Sequence, residues 1–574
     1  MIALNMAQSK TSRSTWWQQF WRIVQPDWGS RPSRRTIGLL LGLILLSVGS
    51  NSFLIWETVQ RGELLSALAA QDTSRFVRAI GIFLGIIAAS VPLLSFKSYV
   101  QDRLGLQWRY WLTERFMHQY FANQTFYQLS AQTKIDNPDQ RISEDIRSFT
   151  QQSLSLLVIS FDSIVQLVGF AGVLWIISKS LLVILLTYAI VGTGIATFLF
   201  GRILVRINVE QLKREADFRF GLIRIRENAE SIALYRGQHR ELNAMQQRFL
   251  QVIQNFNRLI RWQFNLTIFQ NSYQYVTFIL PFIVLAPRIF SGELEIGVVS
   301  QSQAAFERIG LALGLVITQF DQLTALAASI DRLDHLQTAI RTPRPPTQQI
   351  QILEGTPLAF QQVTLYVPDG SRRLIEDLST AVLPGSALLI MGESGVGKSS
   401  LLRAVAGLWS TGSGCIIRPA TPNLLFLPQR PYMIWGSLRQ QLLYPRLSPH
   451  SDQQLMQILQ QVNLSHLISD GLNDGLNDET TSTGLDSITD WAKRLSLGEQ
   501  QRLAFARLLL AQPLYALLDE ATSALDIAQE ARLYTLLQTT SISFISIGHR
   551  STLLNYHQQV LYLKRDQTWR LQKI

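Results

Sequence analysis

Gly392-Glu393-Ser394-Gly395-Val396-Gly397-Lys398-Ser399 fits the pattern G-x-x-x-x-G-K-[ST] in full. An apolar, strand-like stretch (386–391) leads into it, and Leu401-Leu402-Arg403-Ala404-Val405 continues as helix. Glycines at this spacing let backbone amides curl around phosphate oxygens. The start of the helix, where Ser399 and Ser400 sit, adds partial positive charge. Lys398 supplies a point charge for the outer phosphates, and the Ser399 hydroxyl is a ligand for Mg²⁺. Further on, Ala516-Leu517-Leu518-Asp519-Glu520 reads as an apolar strand ending in two acids. Glu520 alone would be an ordinary surface acid; here it follows a buried strand.

Between these elements lies Leu495-Ser496-Leu497-Gly498-Glu499-Gln500-Gln501-Arg502. This string resembles the signature motif of ABC-type ATPases, with Leu497 where a glycine is usual. In that family the signature closes over ATP held by the opposite nucleotide-binding domain. The resemblance therefore implies that Ser496, Gly498 and Glu499 serve a partner's nucleotide, and that the chain works as a homodimer. Other elements follow in the family's order. Leu427-Pro428-Gln429-Arg430 resembles the Q-loop, which implies that Gln429 touches Mg²⁺ and the attacking water. The acidic strand resembles Walker B, so Asp519 would hold the Mg²⁺ shell and Glu520 would polarise the water. Ser523-Ala524-Leu525-Asp526 resembles the D-loop. His549, in Ile547-Gly548-His549-Arg550, resembles the switch histidine that bonds the γ-phosphate. ATP and Mg²⁺ are the implied cofactors.

Phosphoryl transfer asks the protein mainly to position water in line and to neutralise charge on the γ-phosphoryl oxygens. A lysine, oxygen ligands, an acid near the water and a histidine donor answer that need. The family's adenine-stacking aromatic points to Tyr366, although Pro368 comes one place later than the usual Tyr-Pro pairing. Strand alternation puts Tyr366 opposite the Val363/Leu365/Val367 face, from which it could reach a base.

These elements occupy the last part of a 574-residue chain, long enough for two or more domains. The chain is 47% hydrophobic and 16% charged, against roughly 25% charged in soluble domains. The deficit sits in the first 330 residues, where apolar stretches crowd. A net charge of +11 is compatible with nucleic acid, but the membrane accounts for it better. Lys10, Arg13, Arg22, Arg31, Arg34 and Arg35 face Asp27 alone just before the first apolar run, which places the N-terminus in the cytoplasm. Trp16, Trp17, Phe20, Trp21 and Trp28 precede that run and suit an interfacial elbow helix. Nothing there reads as a cleavable signal peptide. The lone Cys415 excludes an internal disulfide framework and a cysteine-cluster metal site.

A bilayer core of about 30 Å takes about 20 mostly apolar residues to cross, and six segments qualify: 36–56, 77–96, 153–177, 181–201, 266–287 and 296–327. A charged loop with Glu57, Arg61, Glu63, Asp72 and Arg75 is expected between the first two, and a tight Ser178-Lys179-Ser180 turn between the middle two. The inner connections, 97–152 and 202–265, each exceed fifty residues and read as helix. Leu104, Trp108, Trp111 and Leu112 recur at threes and fours, as do Leu222, Ile225 and Ala229. These long inward extensions resemble the coupling helices of ABC exporter membrane domains. Polar residues within spans are costly in lipid, so Asp162, Gln166, Gln270, Gln274, Gln301, Gln303 and Glu307 are candidates to line a path or to bond between helices.

The expected organisation is multi-domain. A lead over 1–35 precedes an all-α six-helix transmembrane domain of ABC exporter type over 36–335. A proline-marked linker over 336–351 then leads to an α/β P-loop ABC ATPase domain over 352–574. Two local strings, Asn137-Pro138-Asp139-Gln140-Arg141-Ile142 and Asn228-Ala229-Glu230-Ser231-Ile232-Ala233-Leu234-Tyr235-Arg236-Gly237, resemble segments of the ABCD (peroxisomal acyl transporter) family and its bacterial YddA/SbmA-like relatives. The second keeps Glu230 and Ala233 of a Glu-Glu-Ala motif but has Ser231 for the second acid. Leu497, with the Gln429 and His549 neighbourhoods, looks like the bacterial branch. The resemblance implies a half-transporter moving fatty acid or acyl-CoA, peptide or cobalamin-like cargo. A bacterial plasma membrane is the expected home, a peroxisomal membrane the alternative. An ATP-gated channel or sensor remains the alternative function.

Overall fold

The computed structural model describes residues 16–29, 34–130, 137–315, 319–341, 349–446, 449–468 and 484–574. It divides into a helical unit, Met1–Pro343, and an α/β unit, Arg344–Ile574. The proline-marked boundary at 342–348, the basic residues Lys10, Arg13 and Arg31 and the side chain of Trp28 lie outside the described residues.

The helical unit is built from α1 (Trp16–Gly29), α2 (Arg34–Ala69), α3 (Thr73–Phe121), α4 (Ile146–Ile177), α5 (Lys179–Ile195), α6 (Arg202–Glu227), α7 (Gln238–Phe290), α8 (Gly297–Leu313) and α9 (Phe320–Arg341). Five helical stretches are long and apolar enough to cross a membrane: Arg35–Ala69, Thr73–Ser130, Pro138–Ile177, Lys179–Glu227 and Gln238–Phe290. The sixth expected span falls on α8 and the start of α9, and residues 316–318 within it lie outside the described residues. Ile176 and Phe290 are 86% and 89% exposed, a cost in water that lipid removes.

Local chemistry fixes the helix ends. Asp72 caps α3 by accepting from the Arg75 amide at 3.0 Å, and the Ser178 hydroxyl accepts from the Leu181 amide at 3.3 Å to start α5. Asn137 sits at φ 46° with Pro138 in the first helical turn after it, so the chain restarts as helix there. The charged segment 57–69 is helical rather than a loop, and only a turn around Ala70–Asp72 separates α2 from α3. Its charges support the helices: Glu57 pairs with Arg61 one turn on, and Arg75 bonds Glu63 at 2.6 Å and Glu295 at 2.7 Å.

In α1, Ile23 and Val24 are buried while Trp17 and Trp21 are exposed. Arg22 Nη1 bonds Asp334 Oδ1 at 2.9 Å, and Phe20 meets Phe149 at 5.5 Å. One face is held by the helical bundle, and the Trp17 and Trp21 indoles face outward.

The α/β unit contains β1 (Gln351–Glu354), β2 (Leu358–Tyr366), β3 (Arg373–Val382), β4 (Ala387–Gly392), β5 (Gly412–Arg418), β6 (Leu424–Leu427), β7 (Gly436–Ser437), β8 (Ile488–Thr489), β9 (Tyr515–Asp519), β10 (Ser543–Ile547), β11 (Gln559–Leu563) and β12 (Trp569–Lys573). Strands β12-β11-β4-β10-β9-β6 form one sheet, parallel except for the β12 edge. A second sheet runs β1-β5-β2-β3. Every residue of β9 and β10 is buried, as central parallel strands covered on both faces must be. Helices α10 (Lys398–Ala406), α11 (Leu497–Ala511) and α12 (Ile527–Gln538) complete the elements that matter here.

Candidate functional site

Parallel open sheets gather ligands at the carboxyl ends of their strands, and the register puts the expected chemistry there. Ile547 pairs with both Ile390 and Asp519, and Leu427 pairs with Leu518. The segments leaving β4, β9, β10 and β6 therefore emerge side by side. They carry the phosphate loop, Glu520, His549 and Gln429 respectively.

The loop from Gly392 to Lys398 is shaped by its glycines. Gly392 has φ 150°, and a Cβ there would stand 2.3 Å from the Leu563 carbonyl oxygen; Gly397 has φ 106°. Side chains other than hydrogen are strained at both. Val396 is buried, while Glu393 and Ser394 are exposed, and Glu393 pairs with Arg565. Lys398 Nζ donates to the carbonyls of Gly392 (2.7 Å) and Glu393 (2.8 Å), poised across the loop. Burial pushes its pKa below the ordinary lysine value, against the pull of Glu520 and Asp519.

The Ser399 hydroxyl donates to Asp519 Oδ1 at 2.9 Å. Burial raises the Asp519 pKa, partly offset by that hydrogen bond. Gln429 Nε2 donates to Glu520 Oε2 at 2.8 Å, and His549 Nε2 lies 3.3 Å from Glu520 Oε1. Hydroxyl, carboxylate and amide oxygens are the hard donors Mg²⁺ accepts alongside phosphate and water, so this set fits that ion. No group of three or more His, Cys, Asp or Glu side chains able to hold a metal ion occurs among the described residues; a metal here would take its other ligands from nucleotide and solvent.

Glu520 has φ 49°, a backbone region costly for a residue with a Cβ. Its amide donates to the Ile547 carbonyl (3.2 Å), and its carbonyl accepts from the Ser523 amide (3.1 Å). Those two bonds hold the turn that aims its carboxylate toward Gln429 and His549.

Ser496 caps α11 in a reciprocal box with Glu499. Its hydroxyl donates to Glu499 Oε2 at 2.7 Å, and His466 Nε2 lies 3.0 Å from Glu499 Oε1. Burial alone would raise the Glu499 pKa, but bonds from the Ser496 hydroxyl and amide and from His466 outweigh it and hold it low. Ser496 is exposed. Among the described residues no hydrogen bond joins Ser496, Gly498 or Glu499 to the phosphate loop of the same chain. Tyr366 closes β2, its carbonyl accepting from Trp409 Nε1 at 2.8 Å. No hydrogen bond ties it to the phosphate loop among the described residues.

Sequence spacing does not mark two other features. Gln501 is fully buried, and its amide reaches Gln429, Ser523 and Ala524. The available signal is helical phase, since 498, 501, 505 and 508 share one face of α11. Arg550 donates to the Leu525 carbonyl at 2.9 Å, tying the segment after His549 to the D-loop-like turn.

In the helical unit, Asp162 accepts from Asn51 Nδ2 at 2.8 Å and pairs with Lys97, while Gln166 Nε2 donates to Asn51 Oδ1 at 2.8 Å. These two candidates bond between helices. Gln301 Nε2 donates to the Val59 carbonyl at 3.0 Å, and Gln270, Gln274 and Glu307 are exposed.

His557 supports the sheet beneath this site. Its Nδ1–H donates to the Leu553 carbonyl (2.7 Å), leaving Nε2 to accept from the Ser546 hydroxyl (2.9 Å). Burial pushes its pKa down to about 4. The unfolded chain, with an ordinary value of about 6.5, then binds the proton more readily. Stability is complete above pH ~6.5 and declines as pH falls toward ~4, by up to about 3 kcal/mol. Thermal melts of the protein should show this slope, and His557→Gln should flatten it. An unchanged slope in the variant would remove His557 as its cause.

An apolar helical unit followed by an α/β unit with a phosphate loop, paired acids and a glutamine–glutamate–histidine cluster defines an ATPase-coupled membrane transporter. The "ABC transporter transmembrane region 2" family matches residues 22–290, and the "ABC transporter" family residues 375–523. An uncharacterised ABC transporter ATP-binding protein of Synechocystis is 44% identical, covering 94% of this chain and 81% of its own. ABC transporter D family member 2, chloroplastic, of Arabidopsis thaliana is 36% identical over 98% of this chain and 88% of its own. Lysosomal cobalamin transporter ABCD4 of Homo sapiens is 31% identical over 97% and 95%. The chain belongs to the ABC transporter family, and its activity is ATP hydrolysis coupled to transport.

Proposed function

We propose that the chain is a half-transporter that homodimerises, forms two composite ATP sites and moves its cargo by alternating the helical units between two orientations. The carrying observation is the division of the site. Lys398, Ser399, Asp519, Gln429, Glu520 and His549 gather at the carboxyl ends of the strands of one sheet. Ser496 and Glu499 satisfy each other at the exposed start of α11. Among the described residues the signature makes no hydrogen bond to its own phosphate loop, which supports its completing another copy's site.

In each site the loop amides from Gly392 to Ser400 and the Lys398 ammonium would bind the phosphates, with Tyr366 against the base. Ser399, Asp519 and Gln429 would hold Mg²⁺, which supplies charge neutralisation at the β- and γ-phosphoryl oxygens. Glu520 would orient and deprotonate the attacking water, and His549 would donate to the γ-phosphoryl group. Ser496, Gly498 and Glu499 of the second copy would close the site. The domain boundaries, the cytoplasmic placement of the ATPase unit and a bacterial inner membrane belong to the same reading. Cargo of the acyl, peptide or corrinoid class is supported by family likeness, including the name of the human cobalamin transporter.

ATPase activity of the purified protein should follow the dimer fraction across a concentration series. Full activity in a monomer would sink the composite-site reading. Stimulation of the reconstituted protein by an acyl-CoA, peptide or corrinoid panel would select the cargo class, and silence from all three would remove them.

A further inference from the structure

The Gln501 side chain is fully buried in the first turns of α11, yet none of its polar atoms is wasted. Nε2 donates to the Gln429 carbonyl at 3.0 Å and lies 3.2 Å from Ser523 Oγ, while Oε1 accepts from the Ala524 amide at 3.0 Å. Only one amide orientation serves both a carbonyl acceptor and a backbone N–H donor, so the placement is unambiguous. Both contacts of Nε2 lead on to the same residue, Glu520. Through Gln429, whose side chain donates to Glu520 Oε2 at 2.8 Å, one contact reaches the carboxylate. Through Ser523, whose amide donates to the Glu520 carbonyl at 3.1 Å, the other reaches its backbone. That backbone is already in the left-handed region at φ 49°, a strained conformation that persists because its surroundings hold it.

The same helix presses against the segment it bonds. A Cβ on Gly498 would stand 3.2 Å from the Ala524 carbonyl oxygen and 3.3 Å from Leu525 Cδ2, so the glycine lets the α11 backbone approach residues 523–525 closely. Gln429 and Ser523 are thus the residues that a displacement at the signature end of α11 would reach first.

We propose that Gln501 is a positioning residue that links the two ATP sites of the dimer by tying the signature helix, which serves the partner's nucleotide, to the Glu520 carboxylate of its own site. The link rests on the homodimer reading above. Closure of α11 over the partner's ATP sets Glu520 for the chain's own ATP, and the reverse holds by symmetry, so hydrolysis is cooperative.

The test uses the full-length protein in vesicles, with ATPase rate measured against ATP concentration. The wild type should show a Hill coefficient approaching 2, the limit for two sites. Gln501→Met keeps the shape and removes all three hydrogen bonds. It should lower kcat by about tenfold or more and bring the Hill coefficient to about 1, with little change in half-saturation. Ser523→Ala removes one contact and should shift both quantities the same way by less, and it carries the test should Gln501→Met fail to fold. A Hill coefficient of 1 in the wild type, an unchanged coefficient in the folded variants, or kcat and half-saturation worsening together with thermal stability would each overturn the link. Failure of the dimer reading itself would show separately, as full wild-type activity in a monomer.

Discussion

Glu520→Gln is expected to lower kcat by about 10²–10⁴-fold, the range that a positioned proton-transfer group supplies, while ATP still binds. Gln keeps the length of the side chain and its contact with Gln429, so the turn held by Ile547 and Ser523 should survive. What is lost is a carboxylate facing both Gln429 Nε2 at 2.8 Å and His549 Nε2 at 3.3 Å. The phosphate loop, with Lys398 across the Gly392 and Glu393 carbonyls, is untouched. Single-turnover hydrolysis alongside nucleotide binding checks this directly. Turnover near wild type would remove Glu520 from the chemistry. The variant also separates a pump from a gated pore: cargo movement should stop in the first case and persist as a leak in the second.

Asp162→Ala is expected to cost about 3–5 kcal/mol of folding stability. The substitution leaves the Lys97 ammonium without its pair in a site where Lys97 is buried. It also removes one of the two acceptors of the Asn51 amide, leaving the Ser47 carbonyl, and so loosens the side chain that accepts from Gln166. Three helices, α2, α3 and α4, meet at this cluster. A double change, Lys97→Met with Asp162→Leu, removes both charges at similar volume and should recover most of the loss. Unfolding in detergent, followed for the single and double variants, decides the matter. Equal destabilisation of the two would show that the ion pair is not the source.

The ATP-site elements are legible in the sequence because each is a short string whose neighbours must be strand, turn and helix in a set order. Gln429, Glu520 and His549 lie far apart in the chain, yet each follows a strand of one parallel sheet, and register brings them together. Gln501 has no motif to mark it; only helical phase, which sets it on the face of Gly498, Phe505 and Leu508, tells it from Gln500. Lys97 escapes for a different reason: it stands one residue past an apolar segment and reads as a flank, although its stem reaches back to Asp162. The 57–69 segment reads as a loop because its charges break the apolar run. The partners one turn away, Glu57 with Arg61, show why it stays helical. Tyr366 is placed by strand alternation, and its register with Arg373 at the end of β2 gives no further sign of what its ring faces.

Helix α3 runs for 49 residues, continuing through Pro92, about 74 Å at 1.5 Å per residue, against a hydrocarbon core of about 30 Å. More than half of it therefore lies outside the bilayer. For such a rod an angle at one end becomes a distance at the other: a tilt of about 10° within the membrane moves a tip about 40 Å away by about 7 Å. That exceeds the pitch of one helical turn, about 5.4 Å. A modest change of slope among lipid-facing side chains is thus delivered to the aqueous end as a step long enough to exchange one set of contacts for the next.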